Sequence, residues 1–298
     1  MHLINEGYEV IILTRKLPQE NEKVKQPGVS YALWDIHKGQ VDTEAMRKAD
    51  HIIHLAGAGV MDKEWTESYK KEILDSRTKS SELLIKALKE NAHKVQTFVS
   101  ASAIGWYGSD EENSPQTGGF IEMNPAANNF LGETCLLWEK SLDPLEEMNV
   151  RVVKLRTGIV LSNRGGAFKE FRMPVHFGIA AILGSGRQVI SWIHIDDLCR
   201  MYIYSIKKSS LQGSYNAVAP EPVSNKEMVL NIAKRLRHHF FIPVNVPKLF
   251  IQLLFGQRAF EILKSTTVSC KKIKTEGFTF LYPTLKLALD ELCSKQHK

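Results

Sequence analysis

The stretch from Thr97 to Gly108, Thr-Phe-Val-Ser-Ala-Ser-Ala-Ile-Gly-Trp-Tyr-Gly, constrains the fold more than any other part of the chain. An apolar run passes into small residues and hydroxyls, then into an aromatic pair closed by glycine. A buried parallel strand that opens at its carboxyl end into a crevice has this pattern. A core strand followed by an ordinary turn fits these residues equally well, so the neighbouring segments have to decide.

Those neighbours alternate between strand and helix. Met1 to Gly7 reads as the last turns of a helix ending at a C-cap glycine, and Glu9 to Thr14 as a buried strand closed by Arg15-Lys16. Tyr31 to Trp34 and His51 to Leu55 are further strands. Trp65 to Glu90 carries helical spacing, with Ile73, Leu83, Leu84, Ala87 and Leu88 on one stripe. After a polar loop over Pro115 to Asn129, helical spacing resumes from Phe130 to Met148. Val150 to Leu161 reads as another buried strand, Ala167 to Leu183 as a helix pair, and a helix capped at Asp196-Asp197 runs to Ile206. Beyond Gly213-Ser214-Tyr215-Asn216, helices alternate with short segments rich in proline and phenylalanine. The alternation predicts an α/β fold with a doubly wound parallel sheet over residues 1–215 and a smaller C-terminal α+β lobe over 216–298.

Composition removes several function classes. The formal charge is +6, but the lysines are scattered as Lys70-Lys71, Lys207-Lys208 and Lys271-Lys272. No basic tract alternates with exposed aromatics, so nucleic acid is not the expected partner. Cys135, Cys199, Cys270 and Cys293 are far apart and form no Cys-x-x-Cys pair, which argues against a metal site and a disulfide framework and suits the cytoplasm. The longest apolar stretch, Phe177 to Leu183, is too short to span a bilayer, and the amino terminus does not read as a signal peptide. Val246 to Leu263 sets Leu249, Phe250, Leu253, Leu254 and Phe255 beside Lys248 and Arg258. Packing inside the lobe is the expected use of those side chains, ahead of binding at a membrane surface.

Two features point to a nucleotide. Arg15 stands where the second strand of a dinucleotide fold ends. An acidic residue there bonds the ribose of NAD, whereas arginine accommodates the 2′-phosphate of NADP. Ala56-Gly57-Ala58-Gly59, after a strand, lets backbone approach a ligand closely. Yet the chain holds no Gly-x-Gly-x-x-Gly, and Gly57-Ala58-Gly59 and Gly184-Ser185-Gly186 are too short to replace it. The reading that follows is a late start or a truncated gene, with the first strand and phosphate loop missing and cofactor affinity reduced.

In this order the segments resemble an atypical extended short-chain dehydrogenase/reductase of the NAD-dependent epimerase/dehydratase type, in the branch named "epimerase family protein". The likeness rests on Glu6-Gly7-Tyr8-Glu9-Val10 with Thr14-Arg15, His54-Leu55-Ala56-Gly57, and Ser100 to Gly108. Phe130-Leu131-Gly132-Glu133 with Trp138-Glu139, Trp192 to Asp197, and Gly213 to Asn216 agree with it. From Phe241-Ile242-Pro243 through Gly277-Phe278 and Tyr282-Pro283 the chain is similar to the uncharacterised domain that ends this branch.

The resemblance implies a Rossmann-type sheet and NADP as cofactor, with NAD the alternative. Substrate would lie between sheet and lobe. It sets Arg15 at the adenosine phosphate, and Leu55, Ala56 and Gly57 under the ribose and pyrophosphate. Ser102, with Ser100 the second choice, takes the place of the catalytic hydroxyl, and Thr157 to Val160 border the nicotinamide. The usual catalytic tyrosine and its lysine four residues on are replaced by Phe130 and Thr134. Two other Tyr-x-x-x-Lys strings, Tyr204 with Lys208 and Tyr282 with Lys286, fall elsewhere and are read as coincidence.

Tyr107 is therefore the first acid/base candidate, and Glu133, if burial raises its affinity for a proton, the second. The expected function is an epimerase or oxidoreductase acting on a small substrate, nucleotide-sugar-like in the nearest analogy, with a homodimer left open. The alternative is a non-catalytic nucleotide-binding or scaffold protein that keeps the fold.

Overall fold

The structure is a computed structural model that describes residues 2–19, 26–113 and 118–294. Helix α1 (His2–Asn5) ends at Gly7, whose φ of 83° only glycine adopts without strain. Next come β1 (Val10–Thr14), β2 (Val29–Asp35), β3 (Gln40–Val41), α2 (Thr43–Lys48) and β4 (His51–His54). The long helix α3 (Glu67–Glu90) is capped by the Thr66 hydroxyl, which accepts from the Tyr69 amide at 3.2 Å. Strand β5 (Thr97–Ala103) runs into a 3₁₀ turn over Ile104–Tyr107. Then follow α4 (Asp110–Asn113), α5 (Phe130–Lys140), β6 (Arg151–Thr157), β7 (Ile159–Leu161), α6 (Ala167–His176), β8 (Ile179–Leu183), β9 (Val189–Ile190) and β10 (Trp192–His194). The rest of the chain forms α7 (Ile195–Lys207), β11 (Gly213–Ala217), β12 (Val223–Ser224), α8 (Asn225–Arg237), β13 (Ile242–Val246), α9 (Lys248–Phe255), α10 (Ala259–Leu263), α11 (Lys271–Thr275) and α12 (Leu285–Ser294).

The central sheet has the order β11-β6-β5-β4, all parallel. Both of its faces are covered, as a continuous apolar strand pattern requires. Val99 and Val153 face α7 through Met201 and Ile206, while Phe98 and Val152 face α3 through Leu84 and Leu88. Strand β1 pairs in parallel with β2 and lies in a separate sheet. The Tyr8 ring, just before β1, meets His51 at the start of β4 edge-on at 6.2 Å. The two strands are nevertheless not hydrogen-bonded to each other. Each has a single pairing partner among the described residues.

A second core gathers α6, α8 and α12 around Trp192, which is fully buried, and makes the carboxyl lobe. Strand β8 pairs in parallel with β13 from that lobe, and β9 pairs antiparallel with β12. Three readings change here. The second half of the expected helix pair is β8, because Gly178 (φ 78°) ends α6 and Ile179–Leu183 finds a strand partner. The expected strand from 150 to 161 breaks at Gly158, where a Cβ would strike the Ser191 carbonyl. The cap of α7 is His194, whose Nδ1 accepts from the Asp196 amide at 3.2 Å. Asp197 is instead fully buried and accepts from the Leu281 and Tyr282 amides, both at 2.8 Å.

Packing of α9 inside the lobe holds for Ile251 alone. Leu249 and Leu253 are 79% and 82% exposed, and Phe250 and Leu254 project as well. No helix of the described residues is long and apolar enough to cross a membrane.

Candidate functional site

Parallel strands present their carboxyl ends on one edge of the sheet, and an α/β fold builds its crevice there. Register sets Ser102 beside Arg156 and Arg156 beside Asn216, one row across β5, β6 and β11. All three are buried, at 3%, 3% and 0% exposure. Glu139 reaches the row from α5. Its Oε1 accepts from the Ser102 hydroxyl at 2.7 Å and from Arg156 Nε at 2.8 Å. Its Oε2 accepts from Arg156 Nη2 at 3.0 Å and from the Ser214 hydroxyl at 2.9 Å. The two-pronged geometry suits a planar guanidinium, and every contact of the buried carboxylate is satisfied. Arg156 also lies 3.6 Å from the Trp106 ring centre, a desolvated cation–π contact.

Tyr107 belongs to the same network. Its phenol donates to Asn216 Oδ1 at 2.6 Å and accepts from Arg156 Nη1 at 3.1 Å, and its ring stacks on Phe120. It is 1% exposed. Burial pushes the phenol up to about 12, with Arg156 pulling the other way. Glu133 lies on the exposed side of α5, away from the row. Phe130 packs edge-on against Trp65, and the Thr134 hydroxyl donates to the Phe130 carbonyl of its own helix, so neither offers a titratable group.

The floor of β4 and β5 is polar but closed. Ser100 is fully buried, and its hydroxyl lies 3.5 Å from His54 Nδ1. His54 Nε2 is 2.8 Å from the Ser80 hydroxyl. Burial and then the Arg77 charge bring His54 down to about 4, so its imidazole is neutral at physiological pH.

Next to this floor, Leu55 is 62% exposed at the end of β4, and Ala56-Gly57-Ala58 turn over α3. The Ser76 hydroxyl accepts from the Ala58 amide at 2.9 Å, Arg77 Nη1 donates to the Ala58 carbonyl at 3.0 Å, and the Tyr69 hydroxyl donates to the Gly59 carbonyl at 2.6 Å. Helix α3 thus holds this turn in place from below. Thr157 and Val160 follow the same edge at β6 and β7, half-buried, and Arg15 is exposed immediately after β1. A turn of small residues with a cation beneath it and an exposed edge is a shape that a dinucleotide fits.

The carboxyl lobe closes one side. The Thr267 amide and hydroxyl donate to Asp110 at 2.7 and 2.6 Å, and the Thr266 hydroxyl donates to the Gly108 carbonyl at 2.8 Å. A cavity of about 420 Å³ lies between Pro220 and Pro222, beyond β11, and Val268, Ser269, Lys271 and Lys274 of the lobe.

The sequence profile of the NAD dependent epimerase/dehydratase family matches residues 1–218. The chain belongs to that family. A domain of unknown function matches residues 246–292. An epimerase family protein of Staphylococcus saprophyticus is 34% identical over 97% of this chain and 93% of its own length. One from Bacillus subtilis is 31% identical over 97% and 91%. The human epimerase family protein, solved with NADPH, superposes with a TM-score of 0.82 at 26% identity, covering 98% of this chain and 93% of that one. Like its relatives, this family member is a Rossmann-type α/β protein with a carboxyl lobe.

Glu139, Arg156 and Asn216 were not singled out as site residues from the sequence, although each lies in a segment that carried the resemblance or a strand. Two signals were available. Glu139 shares the buried side of α5 with Leu131, Cys135 and Trp138, and Arg156 stands beside Leu155 near the carboxyl end of a strand that reads as buried. A charge on a buried face needs a partner, and the two are each other's.

Proposed function

We propose that this family member binds NADP(H) and transfers hydride to or from a small substrate held between the sheet edge and the carboxyl lobe. The observation that carries the reading is the placement of Ser102 at the carboxyl end of β5, in register with Arg156 and tied to Glu139. Arg15 would hold the 2′-phosphate, and Leu55, Ala56 and Gly57 would pass under the ribose and pyrophosphate, with Thr157 and Val160 beside the nicotinamide. When bound, the nicotinamide supplies the hydride acceptor or donor. Ser102 donates its own proton to Glu139, so its oxygen offers lone pairs to a substrate hydroxyl. Tyr107, enclosed and doubly bonded, is assigned to holding Arg156 and Asn216, and the exposed Glu133 would reach substrate only from the rim. Residues 216–298, together with β8 and β9 that pair with them, form the substrate side. Lys271 and Lys274 line the cavity of the lobe, apart from the Ser102 row, and a nucleotide sugar is the substrate class to test first. A reducing compartment, the cytoplasm, suits the four free cysteines.

A fluorescence titration with NADPH and NADH, followed by a screen of nucleotide sugars for cofactor oxidation or reduction, tests the reading. Binding of neither dinucleotide would end it. The second reading, a nucleotide-binding protein without turnover, is favoured by Phe130 and Thr134 at the tyrosine and lysine positions. Turnover that disappears in Ser102→Ala would rule it out.

A further inference from the structure

The carboxyl lobe turns an apolar face outward. Leu249, Phe250, Leu253 and Leu254 of α9 are exposed, and Ile251 is the helix's buried anchor. At about 100° per residue the four exposed positions share an arc of about 140°, so they form one face of the helix. Strand β13 leads into α9 through Pro247 and continues the exposure. In the parallel β8–β13 pair, register partners share a face, which sets Ile242 beside Ile179 and Val244 beside Ala181. Ile242, Ile179 and Val244 are exposed, whereas Ala180 and Ile182 on the other face of β8 are buried. Phe240, just before β13, is 84% exposed. Single exposed apolar side chains are ordinary, but consecutive elements that each turn an apolar face outward mark a binding surface.

The charge around this face has one sign. Between Glu227 and Glu261 the chain has no aspartate or glutamate, while Lys234, Arg235, Arg237, Lys248 and Arg258 fall in that interval. Arg235 is paired with Asp290. Arg237 donates to the Val175 and His176 carbonyls, beside the exposed Phe177, and Arg258 donates to the Met61 carbonyl. Those acceptors are neutral, so the two guanidinium charges are not offset by them. Lys248, exposed at the start of α9, has no ion pair among the described residues. Basic side chains around an apolar helix face suit a surface that is apolar within and anionic at its boundary. A second copy of the chain suits it less, because a two-fold contact would bring the same basic rim in from both sides with no acid of residues 228–260 to offset it.

We propose that α9 and the outer face of β8 and β13 form a docking surface for an anionic lipid bilayer. Leu249, Phe250, Leu253 and Leu254 enter the boundary between headgroups and acyl chains, and Arg237, Lys248 and Arg258 stay at headgroup level. The contact is peripheral, since no helix of the described residues is long and apolar enough to cross a membrane. It needs neither cofactor nor substrate, so it stands independently of the reading of the Ser102 row.

The test is sedimentation of the full chain with vesicles of phosphatidylcholine alone and with vesicles containing about one-third phosphatidylserine, which present an anionic surface. Wild type should bind the anionic vesicles about tenfold more tightly or better, and added KCl should weaken that binding. The double variant Leu249→Ser/Leu253→Ser should bind about a hundredfold more weakly, each buried leucine being worth about tenfold or more. Lys248→Glu keeps the apolar face and should lose about tenfold on the anionic vesicles alone. All three positions are exposed, so both variants should keep the thermal midpoint of wild type. Were the double variant unfolded, Lys248→Glu would decide by itself: loss on the anionic vesicles upholds the surface, and unchanged binding rejects it. Wild type left in the supernatant with both kinds of vesicle overturns the proposal. Equal binding to the two kinds, or a folded double variant that binds like wild type, does the same. A wild-type dimer in sedimentation velocity without lipid, dissolved by the two serines, would assign the face to a second copy instead.

Discussion

Ser102 and Glu139 are 37 positions apart in the chain and 2.7 Å apart in space, with the serine hydroxyl donating to the carboxylate. The contact commits the serine proton away from the crevice and anchors one end of a buried network that runs through Arg156 to Tyr107 and Asn216. The serine proposed for the reaction centre is thus held by a buried charge pair. The side chains of Arg156 and Glu139 are 4% and 7% exposed.

Removing one member of that pair should cost far more than its surface counterparts. Glu139→Ala leaves the Arg156 charge buried without its anion, and a loss of about 3–5 kcal/mol is expected. Glu139→Gln keeps two hydrogen-bonding atoms and should cost less. Urea unfolding followed by far-UV circular dichroism checks the order. A loss below about 1 kcal/mol for the alanine variant would mean the pair is not buried as described.

Tyr107→Phe removes the phenol that donates to Asn216 and accepts from Arg156 and leaves the Phe120 stack intact. The expected cost is about 1–3 kcal/mol, because Asn216 loses a donor in a buried setting. NADPH affinity should be unchanged. A drop in turnover at full cofactor affinity and full stability would instead return Tyr107 to the acid/base role.

His54 gives the protein an acid-sensitive stability. Its imidazole titrates near 6.5 when unfolded and about 4 when folded, chiefly through burial and then through Arg77. The fold therefore favours the neutral form. The contribution is complete above pH 6.5, falls as pH drops through the interval toward 4, and amounts to roughly 3 kcal/mol in all. His54→Asn, which cannot titrate, should show a flatter loss of urea midpoint between pH 7 and pH 4.5 than wild type. Equal slopes would show that other groups govern the acid limb.

Hydrogen exchange should distinguish the strands by their partners. Strand β5 is paired on both sides, whereas β1 and β4 each have one pairing partner among the described residues. Amides of Val10–Thr14 and His51–His54 that face away from those partners should exchange fast, and those of Phe98 to Ala101 slowly. Uniform protection across β1, β4 and β5 would mean that the two outer strands are paired in solution.

On α9 the contrast is between neighbours. Ile251 is 1% exposed and Leu253 82%. Ile251→Ala should cost about 2–5 kcal/mol and Leu253→Ser less than about 0.5 kcal/mol, read from thermal unfolding. A large loss for Leu253→Ser would place that side chain in a packed interface.

Local patterns are enough to read the strand–helix alternation. β1, β4, α3 and β5 fall within a residue or two of where hydrophobic spacing and capping residues put them. Leu55 and Gly57 fall just past β4 and Ser102 near the carboxyl end of β5, the edge on which such a fold builds its crevice, while the roles proposed for them come from the family resemblance. What needed tertiary structure was everything set by contacts between distant segments. Ile179–Leu183 is a strand because Ile242–Val246 lies beside it, and the apolar run alone fits helix equally well. Leu249 and Leu253 face outward because α9 packs through Ile251, which its sequence shares with several equally apolar neighbours. Tyr107 is an acid/base candidate by its place beyond the strand, yet Phe120 and Asn216 enclose it in the folded chain. Periodicity and chain punctuation are local and survive in one dimension. Burial, charge pairing and the direction of a hydroxyl proton depend on which remote side chains meet, and only the folded chain decides that.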